Sequence, residues 1–324
     1  MSTFLPALQK SGHLDAIGMT IFNVGSRKVS QTDDYGSAGW EIFAPNLAIY
    51  GFDADLDACE IANQEMARRN INWTEQHIPL VLSNSVGEKT LYVTNDPMCS
   101  SLYPPNEVFL ARLSQMVEYS SLSFTVDVET TTLDTFCQEA NITSVDFLQV
   151  DVQGAELQVL EGATMLLETS VLAVQVEVEY APLYLNQPLF ADVDRFLRAQ
   201  GFTLFDLTAS HRVRARSAVM NTEHPGQILW GNGFYFRDLL QDASPDRLPP
   251  PDRLFKLACI ADVMNFSDYA LELLEYLTLN YGNDARYNFA DPILDVLSQF
   301  PELVQQGLES LPIVASLRSR LSQG

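Results

Sequence analysis

The chain has 324 residues, of which 47% are hydrophobic, and its 42 acidic against 19 basic side chains give a formal net charge of −23. A surface this acidic repels phosphate backbones and anionic headgroups, which excludes nucleic acid and membranes as partners. No run approaches the roughly 20 apolar residues of a membrane span, and the N-terminus shows no secretory signal. Because the four cysteines also form no CxxC pair, we expect a soluble, cytoplasmic protein.

Extended and helical patterns alternate through most of the chain. After a helical lead-in at residues 1–18, apolar runs of strand length occur at 19–25, 48–53, 78–83, 146–152, 172–180, 202–208 and 232–238. Helical patterns separate several of these runs, at 55–70, after Thr131 and after Pro188. Strands that alternate with helices need crossover connections. Residues 19–238 are therefore predicted to form an α/β domain with a mainly parallel, seven-stranded sheet and flanking helices.

Two further extended segments, 89–95 and 123–129, flank a loop around Cys99. The turn at 85–88 indicates a hairpin that joins the first of these segments to the strand before it. The other cysteines, Cys59, Cys137 and Cys259, fall in helical patterns and are expected in the core.

The composition of the sequence changes after Asp238. Residues 239–253 are rich in proline and charge, which is typical of a linker. Residues 254–324 show only helical patterns, with Leu271, Leu274 and Leu277 at helical spacing. We expect this C-terminal helical appendage to cap the domain or to join two copies in a homodimer, because an apolar stripe needs a partner surface.

The side chains that follow the strands are the candidates for ligand binding, because ligands of such sheets bind at the carboxyl ends of the strands. Asn23, Gly25 and Ser26 follow the first strand, and the glycine allows a close backbone approach or simply forms a turn. Asp53 and Asp55 follow the second strand. One is expected to accept hydrogen bonds from ribose hydroxyls and the other to cap the next helix.

The stretch VDFLQVDVQGAELQVLEGA at 145–163 is the most informative in the chain. A buried strand ends in Asp151, a glycine turn follows, and Glu156 lies in the first turn of a helix. A carboxylate placed there needs partners. Asp151 either bonds the amides of its own turn, with Glu156 favoured by the helix dipole, or it serves the chemistry of the site.

This stretch resembles the hallmark of the FkbM-type methyltransferases, in which a strand leads into Ile-Asp-Val-Glu-Gly-x-Glu and then Val-Leu-x-Gly. The segments TTTLDTFCQE (130–139), VLSNSVGEKTLYVTN (81–95), NVGSR, GFDAD and GQILWGNGFYFRD (226–238) are similar to the family's other motifs. The resemblance implies a class I, Rossmann-like methyltransferase fold that binds S-adenosylmethionine. It also implies transfer of a methyl group to a hydroxyl of a sugar, a glycan precursor or a natural product, so that the partner is a small-molecule or glycan acceptor.

Carried over by position, the resemblance places Asn23, Gly25 and Ser26 at the methionine end of the cofactor. Asp53, with Ala54 beside it, takes the ribose, and Ser83 with Asn84 lies by the adenine. This chain departs from the family pattern in having Asn23 where Asp is usual, Arg27 where a second glycine follows, and Gln153 where Glu is preferred. Asparagine can still accept a hydrogen bond from the ammonium group of the cofactor.

Methyl transfer to a hydroxyl needs a base that takes the acceptor proton. Asp151 is the first candidate, with Glu156 and His211 second. Glu177 and Glu179 share one face of their strand, so Asp151 and Glu179 alternatively hold a divalent metal ion, which is not expected to be required. A nicotinamide dehydrogenase would need G-x-G-x-x-G after the first strand, which is absent. The remaining alternative is a degenerate methyltransferase fold that acts as a binding or scaffold protein.

Overall fold

Runs of branched and aromatic residues form the strands, in line with their preference for extended backbone. A computed structural model describes residues 2–27, 39–219, 221–241, 243 and 248–321. Its strands are β1 (Met19–Val24), β2 (Leu47–Asp53), β3 (Thr74–Pro79), β4 (Val81–Leu82), β5 (Gly87–Thr94), β6 (Leu122–Thr131), β7 (Phe147–Val150), β8 (Ala173–Glu179), β9 (Thr203–Leu207), β10 (Ser210–Arg212) and β11 (Gln227–Phe236).

The helices lie mainly between these strands and at the C-terminus. They are α1 (Leu5–Lys10), α2 (Leu56–Arg69), α3 (Glu107–Leu110), α4 (Met116–Ser120), α5 (Leu133–Ala140), α6 (Glu156–Glu161), α7 (Thr164–Thr169), α8 (Phe190–Ala199), α9 (Pro251–Val263), α10 (Ser267–Tyr281), α11 (Ala290–Leu297), α12 (Pro301–Gln306) and α13 (Pro312–Leu321). No helix in the described part of the chain is long and apolar enough to cross a membrane.

The main sheet confirms the predicted α/β class with a mostly parallel sheet. Its order is β10-β11-β8-β7-β1-β2-β3, and β9 also pairs with β11. The strands β8, β7, β1, β2 and β3 are parallel, whereas β11 runs antiparallel to β8, β9 and β10. The described sheet has eight strands instead of the predicted seven, because β9 and β10 pair with successive parts of the ten-residue β11.

The hairpin predicted around residues 85–88 is wrong. β4, β5 and β6 form a second, three-stranded sheet in which β6 lies between the other two. β5 pairs with β6 from Gly87↔Thr130 to Thr94↔Leu122, whereas β4 pairs with only two residues of β6. A long β6 offers β5 a full ladder of backbone hydrogen bonds, which the two-residue β4 cannot provide.

The C-terminal helices pack on one face of the main sheet. Leu257 and Ile260 of α9 belong to the same buried core as Ile21 of β1, Ile49 of β2 and Phe147 of β7. In the described part of the segment between β1 and β2 there is only a short 3-10 turn, Trp40–Phe43, and the C-terminal helices help to cover this face of the sheet.

The apolar stripe that suggested a partner surface is buried within the chain itself. Leu274 and Leu277 of α10 are almost fully buried in this core, and Leu271 packs against it in part. The stripe therefore finds its apolar surroundings without a second copy of the chain.

Candidate functional site

Three cavities, which we call arms, meet at the carboxyl edge of the main sheet. Asp151 and Met98 line all three and mark their junction. The first arm lies at the ends of β1, β2 and β4 and has about 820 Å³ of empty space, part of it open to solvent. The second arm lies over the ends of β1, β7 and β8 and reaches the end of α9, with about 1140 Å³. The third arm lies between the α3–α4 segment and the loop after β8, with about 830 Å³.

Gly25 permits the ends of β1 and β7 to meet at the centre of this cleft. Its φ is +83°, and a Cβ atom there would lie 1.8 Å from the carbonyl oxygen of Asp151. No side chain fits at that distance, and the left-handed backbone also favours glycine. The sequence signal for this glycine therefore reflects a close approach of backbone to backbone, and Gly25 lines both the first and the second arm.

Asn23 places an unsatisfied acceptor in the second arm. The residue is 5% exposed, and its Oδ1 is buried with no hydrogen-bond partner among the described residues. The register of the sheet sets Asn23 beside Gln149, and Gln149 beside Gln175, in a row of amides that line this arm. A buried acceptor without a donor is costly. The ammonium group of an amino acid would supply the donor, and Arg27 in the same arm suits its carboxylate.

The two aspartates after β2 divide the roles that the sequence left open. Asp55 caps α2 by accepting a hydrogen bond from the Ala58 amide at 3.0 Å, and it pairs with Arg27 at 2.8 Å. Asp53 accepts from the Asp55 amide at 2.9 Å and lines the first arm together with Ala54. Burial raises the pKa of Asp53 above its ordinary value, so hydroxyl donors of a ligand would favour its charged form.

Three residues predicted to contact the cofactor are not among the described residues that line the three arms. The Ser26 hydroxyl lies 3.2 Å from His77 Nδ1. The Ser83 hydroxyl donates to Gln158 Oε1 at 2.9 Å, and the Asn84 amide donates to Glu161 at 2.9 Å. These polar groups are already paired. The first arm is lined there by apolar side chains instead: Leu80, Val81, Leu82 and Leu91.

Gln153 connects the carboxylates at the junction of the arms. Its Nε2 donates to Asp151 Oδ1 at 2.9 Å and to Glu177 Oε2 at 2.6 Å. Tyr184, which is 2% exposed, donates from its hydroxyl to Gln153 Oε1 at 3.1 Å. The φ of Gln153 is +57°, a conformation that costs about 1 kcal/mol or more for a residue other than glycine. The residue thus bridges two neighbouring carboxyl groups, at the position where the family pattern has Glu.

Glu156 has a structural role, which corrects its prediction as a catalytic group. Its Oε1 accepts from the Val152 amide at 2.8 Å and from the Gly154 amide at 3.1 Å, so it closes the turn between β7 and α6. One alternative for Asp151 was that it accepts hydrogen bonds from the amides of this turn, but Glu156 accepts them instead. Burial, and then the nearby charge of Asp151, raise the pKa of Glu156 to about 7. Asp151 remains oriented toward the arms.

The carboxylates that could hold a metal ion also differ from the predicted pair. Carboxylate oxygens of Asp151, Glu156 and Glu177 lie within 4.8 Å of one another, so Glu177 replaces the predicted Glu179 in this group. Glu179 is buried beyond it, and burial raises the pKa of both Glu177 and Glu179 well above the ordinary value. Gln153 donates to two members of the group and the turn amides donate to the third, so the chain itself supplies hydrogen-bond donors to all three carboxyl groups.

His211 does not reach the junction. It lies on β10, opposite Ile228 of β11, at the outer side of the sheet beyond β8. It is not among the described residues that line the three arms. The prediction of His211 as a base was based on residue type alone, and sequence spacing gave no indication of which sheet edge it would join.

Sequence comparison matches residues 23–204, more than half of the chain, to the model of the methyltransferase FkbM domain. No curated protein matches this chain. Among solved structures, the chain is similar to the methyltransferase FkbM from Methylobacillus flagellatus KT, with 10% identity and a TM-score of 0.38 over 68% of this chain and 43% of that one. The aligned part thus spans less than half of that protein.

Two other solved structures cover most of their own chains. A SAM-dependent methyltransferase from Aquifex aeolicus shows 8% identity and a TM-score of 0.32, over 72% of this chain and 90% of that chain. TrmK from M. capricolum, solved with S-adenosylhomocysteine, shows 9% identity and a TM-score of 0.34 over 96% of both chains. None of these likenesses identifies an acceptor.

Proposed function

This chain belongs to the methyltransferase FkbM family, and we propose that it transfers a methyl group from S-adenosylmethionine to a hydroxyl of a sugar, a glycan precursor or a natural product. The nucleoside of the cofactor lies in the first arm, with Asp53 on the ribose hydroxyls and the leucines of the β3–β5 region against the adenine. The amino-acid end lies in the second arm, and the acceptor enters by the third.

The observation that carries this proposal is the unpartnered Oδ1 of Asn23. It lies in the same cavity as Arg27 and Asp151, so one arm offers an acceptor and a carboxylate for an ammonium group, and a guanidinium for a carboxylate. These are the groups that a zwitterionic amino acid requires. Asp53 lies in the adjoining first arm, where an acidic side chain suits ribose hydroxyls.

The third arm suits an acceptor with both an apolar body and a hydroxyl. Leu183, Met116 and Trp230 line one part of it, and Asp151 and Glu177 line the junction. Asp151 takes the proton of the acceptor hydroxyl, while Gln153 holds the Asp151 carboxylate in place. When bound, S-adenosylmethionine supplies the methyl carbon, to which the acceptor oxygen bonds as the carbon–sulfur bond breaks with its electron pair left on sulfur.

The first test is calorimetric titration of the full chain with S-adenosylmethionine and S-adenosylhomocysteine. The second is a screen of hydroxylated sugars, nucleotide-sugars and phenolic compounds for release of S-adenosylhomocysteine. We expect binding of both ligands and turnover of at least one hydroxyl compound. Failure of both ligands to bind would contradict the proposal and favour the binding or scaffold alternative.

A further inference from the structure

Four of the 19 basic side chains gather beside the third arm, although the chain as a whole carries a formal net charge of −23. Arg212, Arg214 and Arg216 occupy alternate positions at the end of β10 and after it. A backbone bridge at Arg214 pairs this segment with the residues between α3 and α4, where the Arg112 carbonyl accepts from the Ala215 amide at 3.0 Å. The fold thus adds an arginine from about 100 residues away in the sequence. We call these four residues the arginine cluster.

The arginine cluster adjoins the walls of the third arm. The guanidinium carbon of Arg212 lies 4.6 Å from the ring centroid of Trp230, and Trp230 lines this arm. Arg112 lies in the sequence between Leu110 and Met116, which line the same arm from the α3–α4 side. The cluster is therefore next to the arm assigned to the acceptor both at the end of β10 and in the α3–α4 segment.

Within the described part of the chain, no carboxylate forms an ion pair with the arginine cluster, since the ion pairs there involve other basic side chains. Arg212 Nη1 donates to the His211 carbonyl at 3.0 Å, and Arg214 Nη2 donates to Gln227 Oε1 at 2.7 Å. Each guanidinium has five N–H donors, so both keep donors for a ligand. Arg212 is half-buried and the other three arginines are exposed, so an anion can approach them from solvent.

The arm itself carries the opposite charge. Asp96, Asp151 and Glu177 line it, and its lining in the described residues includes no lysine, arginine or histidine. Trp230, which contacts the cluster, lies opposite Glu179, two residues beyond Glu177 along β8. An acceptor with a hydroxyl at one end and an anionic group at the other would place the hydroxyl at the carboxylates and the anion at the guanidinium groups. The reverse orientation would bring like charges together, which is unfavourable.

We propose that the acceptor is a phosphorylated small molecule, and that the arginine cluster binds its phosphate while its hydroxyl lies at Asp151. This inference rests on the proposed function and narrows its acceptor to the phosphorylated members of the class, such as sugar phosphates and nucleotide-sugars. Guanidinium groups suit phosphate because pairs of their N–H donors match pairs of its oxygens. Positive potential at this place on an acidic protein would also guide such acceptors to the arm.

The test is titration of the full chain with inorganic phosphate and with pyrophosphate, at low ionic strength and with saturating S-adenosylhomocysteine. The first probe stands for a sugar phosphate and the second for a nucleotide-sugar. Under the proposed function, S-adenosylhomocysteine occupies the second arm and keeps the probes from Arg27. We expect saturable binding to the wild type that weakens with added salt. Arg212→Gln, and the exposed change Arg112→Gln, should each weaken it about ten-fold, as for a lost hydrogen bond to a charged group.

Arg68→Gln is the matched control, because Arg68 is an exposed arginine on α2 and is not among the described residues that line the three arms. It makes the same change in net charge and should leave binding of both probes unchanged. No saturable binding to the wild type, or equal losses in the cluster variants and the control, would overturn the inference. A separate titration with S-adenosylhomocysteine alone tests the proposed function, which would fail if that ligand did not bind. Thermal unfolding of each variant checks that the fold is intact.

Discussion

Lys256 and Asp146 form an ion pair between α9 and the residue before β7, with both carboxylate oxygens 2.8 Å from the Lys256 Nζ. The Asp146 side chain is 4% exposed and that of Lys256 is 26% exposed. Five residues after Asp146 the chain reaches Asp151 at the junction of the three arms. The pair therefore attaches the C-terminal helices to the strand that leads to the candidate base.

We expect Lys256→Met to lower the free energy of unfolding by about 3 kcal/mol, because it leaves a buried carboxylate without its charged partner. The measurement is urea-induced unfolding followed by circular dichroism. Arg286→Met is the control, since its pair with Asp284 is largely exposed and solvent screens such a pair, so we expect little loss of stability. Equal losses in the two variants would show that the buried position of Asp146 is unimportant.

Asp53→Ala should weaken S-adenosylmethionine binding by about 1.5–3 kcal/mol, the range for hydrogen bonds to a charged group. Asp55→Ala should instead lower the free energy of unfolding by about 1 kcal/mol, as expected for the loss of a helix cap. Calorimetric titration and urea unfolding of both variants separate the two effects. Unchanged affinity in a folded Asp53→Ala variant would rule out its role at the ribose.

Asp151→Asn should slow turnover by about 10²–10⁴-fold, because it removes a general base and keeps the side-chain shape. Release of S-adenosylhomocysteine with an identified acceptor is the measurement. Asp127→Asn, an exposed change on β6, is the control and should turn over like the wild type. Wild-type turnover by Asp151→Asn would place the base elsewhere, with Glu177 the next residue to test.

Glu156 should make stability depend on pH. Its pKa is about 7 in the folded chain and about 4.3 when unfolded, so between these values the folded state binds more protons and the free energy of unfolding falls as pH rises. Below the lower value its contribution is fully present, and above about pH 7 the fall ends. Glu156→Gln keeps an acceptor for the turn amides and should show a smaller fall in melting temperature between pH 5 and pH 7.5 than the wild type or the exposed control Glu302→Gln. Parallel pH profiles for all three proteins would contradict this.

We expect turnover by the wild type to persist after treatment with a chelator, because the Gln153 amide already bridges Asp151 and Glu177. Gln153→Glu replaces that donor with a further carboxylate and should create affinity for Mg²⁺ or Mn²⁺, since carboxylate oxygens suit these ions. Calorimetric titration with each ion compares the variant and the wild type. Loss of wild-type turnover with chelator, restored by Mg²⁺, would instead support a metal centre at Asp151, Glu156 and Glu177.

The sequence by itself determined the class of the fold and the position of its most informative residues. Alternating patterns predict the parallel sheet, and the glycine turn after Asp151 places that residue at a strand end, because these features depend on local spacing. Asp53 and Asp55 were identified together from the sequence, but their separate roles depend on which side chain meets the Ala58 amide and which faces the cavity.

Tertiary structure decided what depends on contacts between distant segments. Ser83 and His211 were expected at the site from their sequence positions. The Ser83 hydroxyl pairs with Gln158 instead, and His211 lies on β10, so neither lines the arms. Glu156 bonds the turn amides, and Glu177 in place of Glu179 joins Asp151, because the fold sets the side-chain directions and the register between strands. No local pattern connects Arg112 with Arg214, about 100 residues apart, since the pairing of their two segments brings them together beside the third arm.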